Sequence, residues 1–225
     1  MGGIPPSVAR IQRTFGFATH MRQVFAIASM SFGAIAKSAT GLVLWAAVAI
    51  LIVLFIPALM ELRGIPLIPR TADIIALLTA PVADNPQFPW VLVPLLIVFY
   101  AGELVWRERD ARLSEIGDTT PVPEWVFFLG KFLGLGLVLV IWMALLTTAG
   151  VLGRARMDYF DFEIGLYLRI LFGIQLIEYL LFAVLVFAVH AVVNQKHVGY
   201  LAALIAYGFI ALGDTDGTSG SRSPG

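Results

Sequence analysis

Apolar and polar positions along this 225-residue chain are segregated into five long apolar runs separated by charged or proline-rich stretches. Gly41 to Met60 holds no charge and has about the 20 residues needed to cross roughly 30 Å of hydrocarbon. Pro89 to Trp106 is apolar until Glu103. Trp125 to Leu152 carries Gly130, Gly134 and Gly136, small residues that let helices approach closely. Gly165 to Val193 is a long fourth run, and Val198 to Leu212 a shorter fifth. The expected fold is all-α: a polytopic transmembrane bundle over residues 38–212, with spans near 41–60, 89–106, 125–152, 165–193 and 198–212.

The flanks differ in pattern. Residues 1–37 contain Arg10, Arg13, Arg22 and Lys37 and no acid. Phe17, Met21, Val24, Phe25, Ala28, Phe32 and Ile35 recur at helical spacing, with Arg22, Gln23 and Lys37 opposite, so an amphipathic interfacial helix lying in the headgroup region is expected. Between Glu61 and Phe88, Pro66, Pro69, Pro81 and Pro86 break regular structure. Ile74, Ile75, Leu77 and Leu78, started by Thr71 as cap, predict one interfacial turn of helix there. Gly153 to Glu163 is a short polar connector, and residues 213–225, rich in Gly and Ser, are expected to be a disordered tail.

Composition agrees with the pattern. Hydrophobic residues make up 59% of the chain and charged residues 13%, against an apolar share of about 45–50% in soluble domains. An integral membrane protein is implied. The absence of cysteine excludes disulfides and thiolate metal sites, and a net charge of zero implies no surface for nucleic acid.

Charge is concentrated in one connector. Three arginines and five acids fall between Trp106 and Trp125. Glu103 precedes Arg107, and Glu108 precedes Arg112, by one helical step of i, i+4, which supports a short exposed helix ended by Pro121 and Pro123. With the amino end in the cytoplasm, Arg10, Arg13, Arg22, Lys37, Arg107, Arg109, Arg112, Lys131 and Lys196 lie inside, against Arg63, Arg70, Arg154, Arg156 and Arg222 outside. The positive-inside rule favours that orientation, with the Arg107–Glu124 connector cytoplasmic.

Sequence motifs give no catalytic site. There is no phosphate loop ending in Gly-Lys-Ser/Thr and no His-Glu-x-x-His, and His20, His190 and His197 are scattered, so neither a cofactor nor a metal is expected and the chain is read as a non-enzyme. Gln175 and Glu178, three residues apart on the fourth span, are a possible intramembrane polar site. An ionisable residue there is a functional hypothesis by default; the competing account is a glutamate that holds helices together. Glu103 with Arg107, and His190 with Asn194, resemble in outline two elements of CAAX-type intramembrane proteases. An intramembrane hydrolase, or a structural membrane fragment without transport activity, is therefore the alternative.

Arg107-Glu108-Arg109, Leu113-Ser114-Glu115-Ile116, Thr120-Pro121-Val122-Pro123 and Gly130-Lys131 follow the order of the first cytoplasmic loop of type-2 ABC exporter membrane domains, which the connector resembles. Ala111-Arg112 stands where the family has Gly-Thr. The basic amphipathic start resembles the elbow helix before the first span of these permeases. Tyr100 to Arg109, Gly173 to Leu176, and His190 to Gly199 are similar to the second permease half of bacterial proteins that fuse two such halves to a gluzincin-type aminopeptidase. The resemblance implies a permease subunit in the bacterial cytoplasmic membrane, coupled through Arg107, Glu108, Arg109, Arg112, Glu115, Thr120 and Pro121 to a separate ATP-binding cassette ATPase. It further implies a second permease half or a homodimer partner. Five runs where the family has six lead to the expectation of a truncated permease half, with any peptidase activity residing in a domain outside this sequence.

Overall fold

A computed structural model of the chain describes residues 16–38, 42–62, 70–79, 92–110, 123–158, 160–193 and 195–219. The elements are helices α1 (Phe17–Ala36), α2 (Leu42–Leu62), α3 (Thr71–Thr79), α4 (Leu92–Asp110), α5 (Glu124–Ala155), α6 (Ile164–Val192) and α7 (Lys196–Ser219). No strand occurs among the described residues. Helix α6 is α-helical at both ends and π-helical over Leu168–Gln175. Two of the helices, α5 and α6, are long and apolar enough to cross a membrane; the apolar stretches Val43–Ala58 of α2 and Lys196–Ile210 of α7 are shorter.

Helix α5 is the axis of the bundle. It has 32 residues, with no proline after its N-cap, Pro123, and the chain leaves it through a turn that holds Asp158 at φ 58°, a conformation aspartate tolerates. Its neighbours are read from pairs along its length. His20 meets Trp125 edge-on at 5.7 Å, Val24 and Ile27 lie over Gly130, and Ala28 and Ser31 lie over Gly134. The numbers rise together, so α1 runs parallel to α5. Further along, Trp45 packs on Trp142 at 4.5 Å and Ile56 covers Gly153, so α2 continues the same track. Helix α6 returns antiparallel: Phe187 meets Phe128, Leu180 meets Gly136 and Tyr167 meets Gly150. Helix α7 folds back on α6, pairing Tyr200 with His190 and Tyr207 with Phe182.

The start of the chain is helical as expected and packs on the bundle. Helix α1 runs lengthwise on α5 because Gly130 and Gly134, one turn apart, open a groove: a Cβ on Gly134 would lie 2.8 Å from the Ala28 carbonyl oxygen. The buried face is therefore Val24, Ala28, Ser31 and Ile35, while Phe17 and Phe25 of the expected apolar face are exposed.

Helix α3 packs into the protein core. Ile74, Ile75, Leu77 and Leu78 are at most 2% exposed and belong to the main core. Its cap is not Thr71: the Asp73 carboxylate accepts from the Arg70 backbone N–H at 3.0 Å, the reach-back half of a capping box. Two boundaries move as well. Helix α4 continues past Trp106 to Asp110, and α7 continues past Leu212 to Ser219 where a disordered tail from residue 213 was expected. A helix already nucleated by an apolar run gains one hydrogen bond per added residue, which offsets the poor propensity of Gly213 and Gly217.

Helix α2 contains Pro57, which has no N–H to give the Val53 carbonyl. Arg156, just past α5, donates to that carbonyl at 3.4 Å. The guanidinium thus replaces the helical donor and ties the end of α5 to α2.

Candidate functional site

The antiparallel packing gathers the last turn of α4, the first turn of α5, the last turn of α6 and the first turn of α7 at one end of the bundle. This is where the charged connector leaves. Arg107 is exposed in the last turn of α4, and Glu108 and Arg109 continue its helical backbone. Arg112, Glu115, Thr120 and Pro121 lie outside the described residues. Glu103 is half-buried and does not form the i, i+4 ion pair with Arg107 that their spacing suggests. On the far side of the connector, α5 begins after Pro123 with Trp125 exposed against His20.

Next to Arg107 is a knot of three rings, Trp106 and His190 buried and Tyr200 half-buried. The Trp106 indole Nε1–H donates to His190 Nδ1 at 3.2 Å. An indole can only donate, so Nδ1 accepts and the imidazole proton in this arrangement rests on Nε2. Tyr200 of α7 meets His190 edge-on at 5.0 Å. The close approach needs two glycines: a Cβ on Gly199 would fall 2.6 Å from His190 Nδ1, and one on Gly102 would fall 2.5 Å from the Tyr200 ring. Three helix ends are thereby locked in one register. Sequence reading isolated His190 and the Gly102–Arg107 stretch but not their contact, since 84 residues separate Trp106 from His190.

Scanned against protein-family models, curated proteins and solved structures, the chain matches none. Function rests on the residues themselves.

Gln175 and Glu178, expected as a polar site within the fourth span, bond to each other along α6. Gln175 Nε2 donates to Glu178 Oε2 at 3.0 Å. Gln175 closes the π-helical stretch, whose wider turn is rare and recurs at functional positions. The pair lies on the outer surface of α6, with Glu178 exposed, and is not walled into a cavity. Tyr207 of α7 meets Phe182, one turn beyond Glu178 on α6, edge-on at 5.4 Å. The Gln175–Glu178 pair can exchange hydrogen bonds with whatever covers the face.

A third polar centre, at the opposite end of the bundle, was not read from the sequence. Arg154, counted with the polar connector, is in the last turn of α5 and 1% exposed. Its Nη1 donates to the Thr71 hydroxyl of α3, and its charge acts on the Tyr167 hydroxyl of α6. A cation in the last turn also meets the negative end of the helix dipole, which favours its burial there. The available signal was an arginine one residue after Gly153 at the end of an apolar run.

Proposed function

We propose that the chain is a membrane-spanning permease subunit of an ABC-type transporter, coupling ATP hydrolysis by a separate nucleotide-binding subunit to substrate export. In this reading its spans are the five apolar runs, in a bacterial cytoplasmic membrane with the amino end cytoplasmic; the length and apolarity of α5 and α6 support it. The observation that carries the reading is the Trp106–His190–Tyr200 knot directly under the charged last turn of α4. A displacement delivered to the connector there reaches α4, α6 and α7 together, which a flexible loop could not accomplish. The paired charges Glu108, Arg109, Arg112 and Glu115 suit registration in a docking groove on the ATPase. The remaining partners are the bilayer and a second permease half or second copy.

The experiment is site-directed cross-linking. A cysteine at Ser114, in a chain with no other cysteine, is expected to cross-link to the ATPase subunit in membranes, and a cysteine at Asp158, at the opposite end, is not. Equal capture at both positions, or at neither, contradicts the reading.

One contact favours a second reading. The knot places the Glu103–Arg107 turn beside His190, the two elements similar to those of CAAX-type proteases. A hydrolase acting through them requires Glu103, so peptide cleavage by the purified chain that disappears in Glu103→Gln would establish this alternative.

A further inference from the structure

Glu178 stands midway along the 29-residue α6, and it is exposed. The surface around it is apolar: Ile174, Ile177 and Leu181 are 64%, 53% and 67% exposed. Gly173 is exposed on the same side, and a Cβ added there would meet nothing within 4 Å. This differs from α5, where Gly130, Gly134 and Gly153 are each covered by a neighbouring helix.

An apolar face of this kind suits lipid, but a carboxylate and an amide at mid-depth do not. Hydrocarbon offers them no hydrogen bond, and polar groups at that depth almost always face protein or water. The Gln175–Glu178 bond uses one carboxylate oxygen and one amide proton, leaving further donor and acceptor capacity on both groups. The pair is self-complementary, a donor and an acceptor three residues apart. A two-fold axis through this face sets Gln175 of one copy against the partner's Glu178, and the reverse, while Gly173 permits close approach of the backbones.

We propose that the Gly173–Leu181 face of α6 is the surface on which a second copy of this chain docks, held by reciprocal Gln175–Glu178 hydrogen bonds. The proposal rests on the membrane placement argued above and not on coupling to an ATPase.

The test is carried out on the full chain in lipid bilayers with no ATPase present, so its failure leaves the coupling reading standing and the converse also holds. Ile177→Cys is expected to form a disulfide-linked dimer on mild oxidation at a lipid dilution where Leu51→Cys, equally exposed on α2, stays monomeric. Adding Gln175→Leu and Glu178→Leu should reduce that dimer by about tenfold, from about threefold for each of two reciprocal bonds. Glu178→Gln, which keeps the hydrogen-bonding capacity, should restore most of it. Circular dichroism and cooperative denaturant unfolding report whether each variant retains the fold. The proposal is overturned if Ile177→Cys remains monomeric and open to a lipid-soluble maleimide, if it links to a different protein in native membranes, or if the leucine pair leaves dimer formation unchanged.

Discussion

Trp106 and His190, 84 residues apart in the chain, are joined by an indole-to-imidazole hydrogen bond of 3.2 Å in a site where His190 is fully buried. The bond links the turn that begins the charged connector to the end of the longest apolar return helix. Any account of what the connector does passes through it. Trp106→Phe keeps the ring and removes the donor, leaving a buried acceptor without it. The expected cost is about 1–3 kcal/mol of stability, read from denaturant titration in detergent micelles. Replacing both partners, as Trp106→Phe with His190→Leu, should cost less than the sum of the two single changes.

The buried Arg154 sets a second expectation. Thr71→Val preserves shape and removes the hydroxyl that accepts from the guanidinium. A hydrogen bond to a charged group is worth about 1.5–3 kcal/mol, so the variant should unfold at markedly lower denaturant concentration. Protease sites in α3 should open before global unfolding, because this bond joins α3 to the end of α5.

Pro57, Val53 and Arg156 make a three-residue test of helix repair. In the natural chain Arg156→Ala is expected to cost about 0.5–1.5 kcal/mol by exposing the Val53 carbonyl to no donor. In a Pro57→Ala background the backbone N–H of residue 57 supplies that bond and Arg156→Ala should cost almost nothing. A double-mutant cycle with no coupling between the two sites would contradict this explanation of the contact.

The sequence was informative where chemistry is local. Predominantly apolar runs mark α2, α4, α5, α6 and α7 as helices, because backbone hydrogen bonding within a helix needs no distant partner. The i, i+3 spacing of Gln175 and Glu178 places them on one face of α6, but that they bond to each other within the helix was not read from it. What the sequence did not disclose depends on which helix lies against which. Gly130 and Gly134 advertise a close contact without naming α1 as its occupant. Arg154 resembles any connector arginine until α3 brings Thr71 to it. Trp106 looks like an interfacial tryptophan until α6 brings His190.

The register of the helices also makes a prediction about sidedness. Trp125, Gln195 and Arg107 lie at one end of the bundle, and Asp158 and Arg70 at the other. Single cysteines at Trp125 and Gln195 should be labelled by an impermeant reagent only after intact cells are opened, and a cysteine at Asp158 before. Labelling of Gln195→Cys and Asp158→Cys from the same side would be incompatible with α5 and α6 as antiparallel spans.

The most direct measurement of the central claim is ATP hydrolysis by the chain reconstituted with the ATPase subunit proposed above and carrying Glu108→Arg together with Arg112→Glu. The double reversal keeps opposite charges four residues apart while inverting the charge pattern offered to the partner. The account predicts unchanged stability of the isolated chain and a loss of substrate-stimulated hydrolysis of about tenfold, the effect of roughly 1.4 kcal/mol at the docking surface. Normal stimulated hydrolysis and transport by the double reversal would contradict it.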